Sequence, residues 1–473
     1  MRSALRLARW LTFSIAACFL PATLPGAQAP ATPWQVGVAS RDITPEGSLW
    51  MAGYASRTAP SDRVDQKIRA KALALDDTRG GRVVIVTLDL IGVPAALRAH
   101  VERESAQRFG LKPHELLLNA SHTHSAPLIT LDRFELEHTF KRAATPEQIA
   151  VATRYEAGLR QALVDLVGES LQARAPGRLE FAQARAGFAM NRRRPEAKGQ
   201  FSNNPNPGGP VDHDVPVLKV TGADGKVRAL LFGYACHNTT LGESHISGDY
   251  AGHAQDFLQA SYPGATALFL TGCGGDQNPY PRRKMVPDQK PEDLVRQHGR
   301  ALANAVSTAL NAPLRPVQGP LRGAYGHAML DYQPLSKTEL EAYLRPPHTP
   351  AVNARARDLL QKQARGKRSA PLACPVQVLR FGSDLTLVAI AGEVVVDYSL
   401  RLKRELKGPA DVWVAGYSND VFGYLASRRV LDEGGYEGGG ANIRILNHPG
   451  PFTTDVEEKV IGKVHELLGQ VRK

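Results

Sequence analysis

Cysteine is scarce. Four cysteines in 473 residues are too few for a disulfide-stapled fold. Cys18 falls within the first thirty residues, which leaves Cys236, Cys273 and Cys374. These read as small, buried apolar residues, with a bridge between Cys236 and Cys273 as the alternative. Long apolar runs are also missing. The one near the N-terminus, 10–20, falls short of the ~20 residues a membrane-spanning helix needs. The net charge is +12, yet no nucleic-acid motif or aromatic-interleaved basic stripe accompanies it. Basic runs such as Arg192-Arg193-Arg194 and Arg282-Arg283-Lys284 are scattered. This argues against a nucleic-acid partner and leaves peripheral contact with an anionic lipid surface open. There is no internal repeat and no clean domain boundary, so the chain reads as one large domain.

The first residues form a leader. Arg2, Arg6 and Arg9 precede the short apolar stretch, and Ala27-Gln28-Ala29 fits a small-x-small cleavage site. This is the pattern of a secretory signal peptide. The expected organisation is a signal peptide over residues 1–29, a mature domain over 30–473, and a secreted or periplasmic location. The alternative is a lipoprotein box at 15–18 with Cys18 lipidated. Beyond the leader, 43% hydrophobic and 22% charged residues are the balance of a globular protein.

Branched apolar runs at 68–75, 83–90, 116–119 and 266–271 predict strands. Runs at 215–220 and 228–234 flank Ala223-Asp224-Gly225, and runs at 376–381 and 385–390 flank Gly382-Ser383-Asp384, both hairpin signals. A further strand is expected at 412–415. Helical patterns cover 95–109, starting after Pro94, and 146–173, 250–260, 291–310, 394–406 and 454–471. A charged helical stretch at 344–370 reads as a surface excursion or lid. Residues 199–209 form a loop without core-forming residues. Strands joined both by hairpins and by helices predict the α/β class, with mixed β-sheets covered by helices in a single αββα-like domain.

Chemistry-bearing residues follow strand ends. Residues 116–119 lead into His122 and His124. In an extended chain, side chains at i and i+2 share a side, so both imidazoles leave the sheet edge together. Residues 230–234 lead to Cys236, His237 and Asn238, residues 267–271 to Asp276, Gln277 and Asn278, residues 385–391 to Glu393, and residues 412–416 to Asn419, Asp420 and Tyr424. Ligands bind where strand ends converge. His122, His237 and Glu393 would give two imidazoles and a carboxylate, a donor set that suits Zn²⁺ better than an all-oxygen metal.

These segments, in this order, resemble the neutral/alkaline non-lysosomal ceramidases. The resemblance rests on Asn119-Ala-Ser-His-Thr-His-Ser-Ala-Pro127, Met190-Asn191-Arg192, His237-Asn-Thr-Thr with Ile246-Ser-Gly-Asp249, Gly275-Asp276-Gln277-Asn278-Pro279, Gly392-Glu393, and Tyr424 with Tyr436-Glu437-Gly438. It implies a zinc hydrolase of N-acyl amide bonds, with His122, His237, Glu393 and Tyr424 as metal ligands. It places His124 beside the metal in a catalytic role and Arg192, Asp276 and Tyr436 near the substrate. It implies a lipid or N-acyl small-molecule substrate and leaves the oligomeric state open. Two departures stand out. Asn278 occupies the position of the family's serine, and asparagine has no proton to lose near neutral pH. Activated water then takes the place of an acyl-serine route, and the Asn278 amide or Tyr436 could meet the oxyanion. The chain is also expected to lack the family's C-terminal immunoglobulin-like domain, so a different amide, ester or lactone, or a non-catalytic lipid- or glycan-binding role, are the alternatives.

Overall fold

Two mixed β-sheets lie face to face, with helices on both outer sides. The computed structural model describes residues 34–129, 145–282, 285, 288–444 and 446–472. The expected signal peptide and Cys18 lie outside the described residues. The large sheet contains β1 (Trp34–Asp42), β2 (Arg69–Asp76), β3 (Arg82–Leu88), β4 (Leu116–Ala120), β5 (Ala175–Arg185), β6 (Asp214–Gly222), β7 (Val227–Tyr234) and β8 (Thr266–Thr271). Their order is β8-β7-β6-β5-β1-β2-β3-β4, with Arg315–Val317 added beside β5. The β7–β8 and β3–β4 pairs are parallel and the rest antiparallel. The small sheet is β9 (Leu321–Leu330), β10 (Leu372–Phe381), β11 (Leu385–Ile390) and β12 (Asp411–Ala415), in that order, with β11–β12 parallel.

Strand alternation builds the layers. On β2, Ala70, Ala72 and Ala74 pack under α1 (Ala95–Phe109) and α2 (Pro146–Gln172), while Leu73 and Leu75 face the small sheet. On β7, Leu230 and Phe232 pack under α3 (Asp249–Ser261) and α4 (Pro291–Asn311), while Leu231 faces inward. On β11, Leu385, Leu387 and Ala389 meet the large sheet, while Val388 and Ile390 meet α6 (Val396–Glu405) and α7 (Val456–Arg472). Strands covered on both faces read as unbroken apolar runs, which is why most were legible. The result is an αββα stack, as the pattern predicted. The helix α5 (Pro350–Ala364) packs through Val352 and Ala356 against Leu335, Leu340 and Leu446.

Three strands escaped the pattern. β1, β5 and β9 mix small, charged and apolar residues, as in Ala-Pro-Gly-Arg-Leu-Glu-Phe-Ala-Gln-Ala-Arg for β5. Only Gly177, Leu179, Phe181 and Ala182 of β5 are buried, so it lacks the run that marked its neighbours.

Both edge strands of the large sheet are drawn together, and this sets up the site. Asn119 on β4 accepts from Thr271 N (2.9 Å) on β8 and donates to Gly416 O (2.8 Å) after β12. Thr271 Oγ1 donates to Ala120 O (2.7 Å). A side-chain amide thus replaces the backbone pairing that three separate strand ends cannot make with each other. The three described cysteines are free and buried. No helix among the described residues is long and apolar enough to cross a membrane.

Candidate functional site

The convergence of β4, β7, β8, β11 and β12 brings together residues from distant parts of the chain. His122 does not leave β4 in an extended conformation, as the i and i+2 argument assumed. Its φ is +61°, so the chain turns sharply after Ala120. The two rings still meet, with His122 Nε2 and His124 Nε2 3.2 Å apart. His124 N binds Asn238 O (3.2 Å), which fastens this turn to the one carrying His237. Gly53 lies flat against His124. A Cβ there would come within 2.4 Å of the ring, and φ is +94°, so only glycine fits.

The histidines are aimed by the backbone. His122 Nδ1 sits 2.6 Å from Ile91 O, and His237 Nδ1 sits 2.7 Å from Gly274 O. A carbonyl can only accept, so each Nδ1 carries the hydrogen and each neutral ring presents a bare Nε2 lone pair. Both lone pairs point at one atom. Glu393 Oε2 is 3.2 Å from His122 Nε2 and 3.3 Å from His237 Nε2. No described N–H or O–H donates to that oxygen. Tyr424 Oη lies 3.4 Å from His237 Nε2. The ligand atoms of His122, His124 and His237 all lie within 4.8 Å of one another.

Electrostatics sharpens the picture. Burial, reinforced by Arg192, pushes His237 down to about 4, and burial with the neighbouring histidines holds His124 well below its ordinary value. Burial alone would raise the Glu393 carboxyl, but the two imidazoles, in their protonated form, outweigh it and hold it low. Near neutral pH His124 and His237 are therefore neutral acceptors beside the ionised Glu393 carboxylate. Such a set repels itself unless a cation lies between its members. Two imidazoles, a carboxylate and a phenol are a donor set that fits zinc.

Beside the acceptors runs a paired charge network. Arg192 donates from Nε to Glu437 Oε1 (2.7 Å), from Nη1 to Asn278 Oδ1 (3.2 Å) and from Nη2 to Tyr424 Oη (2.8 Å). Arg193 donates to Glu437 Oε2 (2.8 Å), Glu433 and Gly434 O. Arg192, Arg193 and Glu437 are buried. Residues 199–209, expected as a loop, include the short strand Phe201–Asn203 and brace this network, since Asn206 Nδ2 donates to Arg193 O (2.8 Å). Asn278 is held from both sides, receiving Arg192 and donating from Nδ2 to Asn203 Oδ1 (3.3 Å).

Not every expected residue joins the cluster. Asp276 is fully buried, and its carboxylate oxygens accept from Val396 N (2.9 Å) and Asn191 Nδ2 (3.0 Å). Burial raises it to about 6. In place of a substrate contact, it ties the Asn278 loop to the start of α6. Arg192 reaches the cluster through Tyr424. Tyr436 is 45% exposed and stands edge-on to Tyr424, with ring centroids 5.3 Å apart, so it links the cluster to the surface. Three residues were missed. Glu437 is the counter-ion of two buried arginines, and the adjacent Arg192 and Arg193 were the available signal. Asn119 lay in a quoted motif without a role. Tyr417 packs on His122 with centroids 4.6 Å apart, and nothing in the sequence marks it.

Comparison with known proteins identifies the family and the fold. The profile of the neutral/alkaline non-lysosomal ceramidase N-terminal region matches residues 34–273, the part that holds His122, His124, Arg192 and His237. Neutral ceramidase A and neutral ceramidase B of Dictyostelium discoideum are 27% and 25% identical over 284 and 278 residues. Each match covers 55% of this chain, but only 38% and 37% of those relatives. The fold matches the crystal structure of neutral ceramidase from Pseudomonas aeruginosa with a TM-score of 0.70 and 19% identity, over 92% of this chain and 74% of that one. A ceramidase complexed with C2 gives a TM-score of 0.70 and 18% identity, over 93% and 75%. The chain belongs to the neutral/alkaline non-lysosomal ceramidase family.

Proposed function

We propose that this protein is a secreted or periplasmic zinc-dependent amidohydrolase that cleaves the N-acyl bond of ceramide or a related N-acyl lipid. Residues 30–473 would act as the mature enzyme, meeting its substrate at or near a lipid surface. The observation that carries the reading is the meeting of His122 Nε2, His237 Nε2 and Glu393 Oε2 around one point with no donor between them. Tyr424 Oη completes the donor set. Bound there, zinc would polarise the acyl carbonyl and make a water acidic enough to attack near neutral pH.

The chain's own groups supply the rest. His124 is neutral and its Nδ1 has no hydrogen-bond partner among the described residues. It can take a proton from the attacking water and deliver it to the leaving amine. Tyr436, exposed beside Tyr424, can close on the substrate and donate to the oxyanion. Arg192 fixes Tyr424 and Asn278 in place. Asn278 has no nucleophilic oxygen, so no acyl-enzyme forms on it. For its Nδ2 to serve the oxyanion, it must give up Asn203 Oδ1, and substrate could replace that bond.

The test is replacement of His122 or His237 by alanine, followed by zinc content and amide hydrolysis. Both should collapse together, and unchanged metal content and turnover in both variants would sink the reading. The Asn278 substitution also supports a second reading, a zinc hydrolase of short amides, esters or lactones. Turnover on short N-acyl amines and esters well above that on ceramide would favour it. Neither zinc nor turnover in the wild type would leave a lipid- or glycan-binding role.

A further inference from the structure

Tyr417 is fully buried beside the acceptor cluster, yet it is held at two costs. Its φ is +50°, a conformation that bulky side chains rarely adopt. Its hydroxyl is buried with no hydrogen-bond partner among the described residues, an arrangement that interiors avoid. A phenylalanine would fill the same space without the second cost. The backbone leaves no doubt about the strain. Tyr417 N donates to Gly392 O (3.0 Å), directly before Glu393, and Tyr417 O accepts from Ala120 N (3.2 Å), directly before the His122 turn. His122, Tyr417 and Asn419 are all left-handed, so three strained residues lie where β4, β11 and β12 end.

The side chain faces the cluster. Its ring lies 4.6 Å from the His122 ring at 38° and 6.2 Å from the His237 ring at 89°. Among charged groups, Glu393 acts on the phenol most strongly. Glu393 Oε2 is itself a buried acceptor without a donor. The phenol is thus a buried donor without a partner, on a ring packed against the two imidazoles that face Glu393.

We propose that Tyr417 is a positioning residue of the metal-binding cluster, its ring setting the plane of the His122 imidazole and its hydroxyl serving as the hydrogen-bond donor for the Glu393 carboxylate through one water. This rests on the reading of the cluster as a zinc centre. Ligating carboxylates and imidazoles are held by such outer partners, and losing one typically weakens metal binding about 10–100-fold.

Tyr417→Phe keeps the ring and removes the hydroxyl. Zinc affinity, measured by chelator competition, should fall roughly 10–100-fold, while the chelator-treated variant melts at or above the wild-type temperature. Tyr417→Met, which also lacks the hydroxyl, should bind zinc no better than Tyr417→Phe and offers a second route if that variant does not fold. Zinc affinity within twofold of wild type in either variant would overturn the proposal. So would an equal loss of melting temperature with and without zinc, since that marks a packing residue alone. A wild type that binds no zinc in the same assay would instead remove the zinc reading beneath it.

Discussion

Two groups of histidine and carboxylate stand within metal-chelating distance among the described residues, and they differ in what already balances them. One is the buried set of His122, His124 and His237 beside Glu393. The other is Asp65, His245 and Glu292 at the surface. In the surface group both His245 nitrogens face carboxylates, Nδ1 at 2.8 Å from Asp65 and Nε2 at 3.5 Å from Asp62. Arg63 also reaches Asp65 (2.6 Å) and Glu292 (3.5 Å). The cation is already present, and the group closes on itself. In the buried group the Nδ1 atoms of His122 and His237 are spent on backbone carbonyls, so both rings turn an acceptor toward Glu393. Both groups combine histidine with carboxylate. The backbone makes the difference, by fixing the side of each ring that faces inward.

The comparison can be broken at several points. The largest effect is expected in the paired network. Glu437→Ala leaves Arg192 and Arg193 buried without their shared carboxylate, and should cost about 3–5 kcal/mol in chemical denaturation. An unchanged midpoint would mean that the network is not a closed ion pair. Next comes Glu393→Gln, which keeps the shape but puts an amide where an acceptor stood. Zinc affinity should fall by at least about 100-fold, while the metal-free protein becomes more stable than wild type near pH 7. Retained affinity would deny that Glu393 is a ligand.

The pH dependence of the metal-free protein is the third test. Burial holds His237 at about 4 in the folded chain, against about 6.5 when unfolded. The unfolded state then binds more protons between these values. Stability should be full above about pH 6.5 and fall as pH drops toward about 4, by up to roughly 3 kcal/mol. His237→Gln should flatten that slope, whereas His245→Gln should leave it intact. The smallest effect belongs to the surface group itself. His245→Ala should change stability by less than about 0.5 kcal/mol and leave zinc content as it was, and a drop in zinc would erase the contrast.

The sequence carried the fold wherever strands are covered on both faces, because burial writes itself as an apolar run. β1, β5 and β9 were silent because small or charged residues interrupt them. The site was legible as residues placed after strand ends, and the family resemblance added Tyr424. Orientation was not legible. That His122 turns through a left-handed φ, that Ile91 and Gly274 carbonyls aim the rings, and that Asp276 stays out of the cluster are tertiary facts with no residue pattern behind them. Tyr417 is the clearest case, since a lone tyrosine between glycine and serine reads as ordinary until its neighbours are known.

The central claim is that His122, His237 and Glu393 converge to hold a cation. X-ray absorption at the zinc edge on the purified protein, with metal quantified per chain, tests it most directly. The account predicts stoichiometric zinc in a shell of imidazole nitrogen and oxygen without sulfur, lost in a His122→Ala, His237→Ala double variant. A chain that takes up no zinc at saturating metal, or one whose zinc shell survives that double substitution, would contradict it.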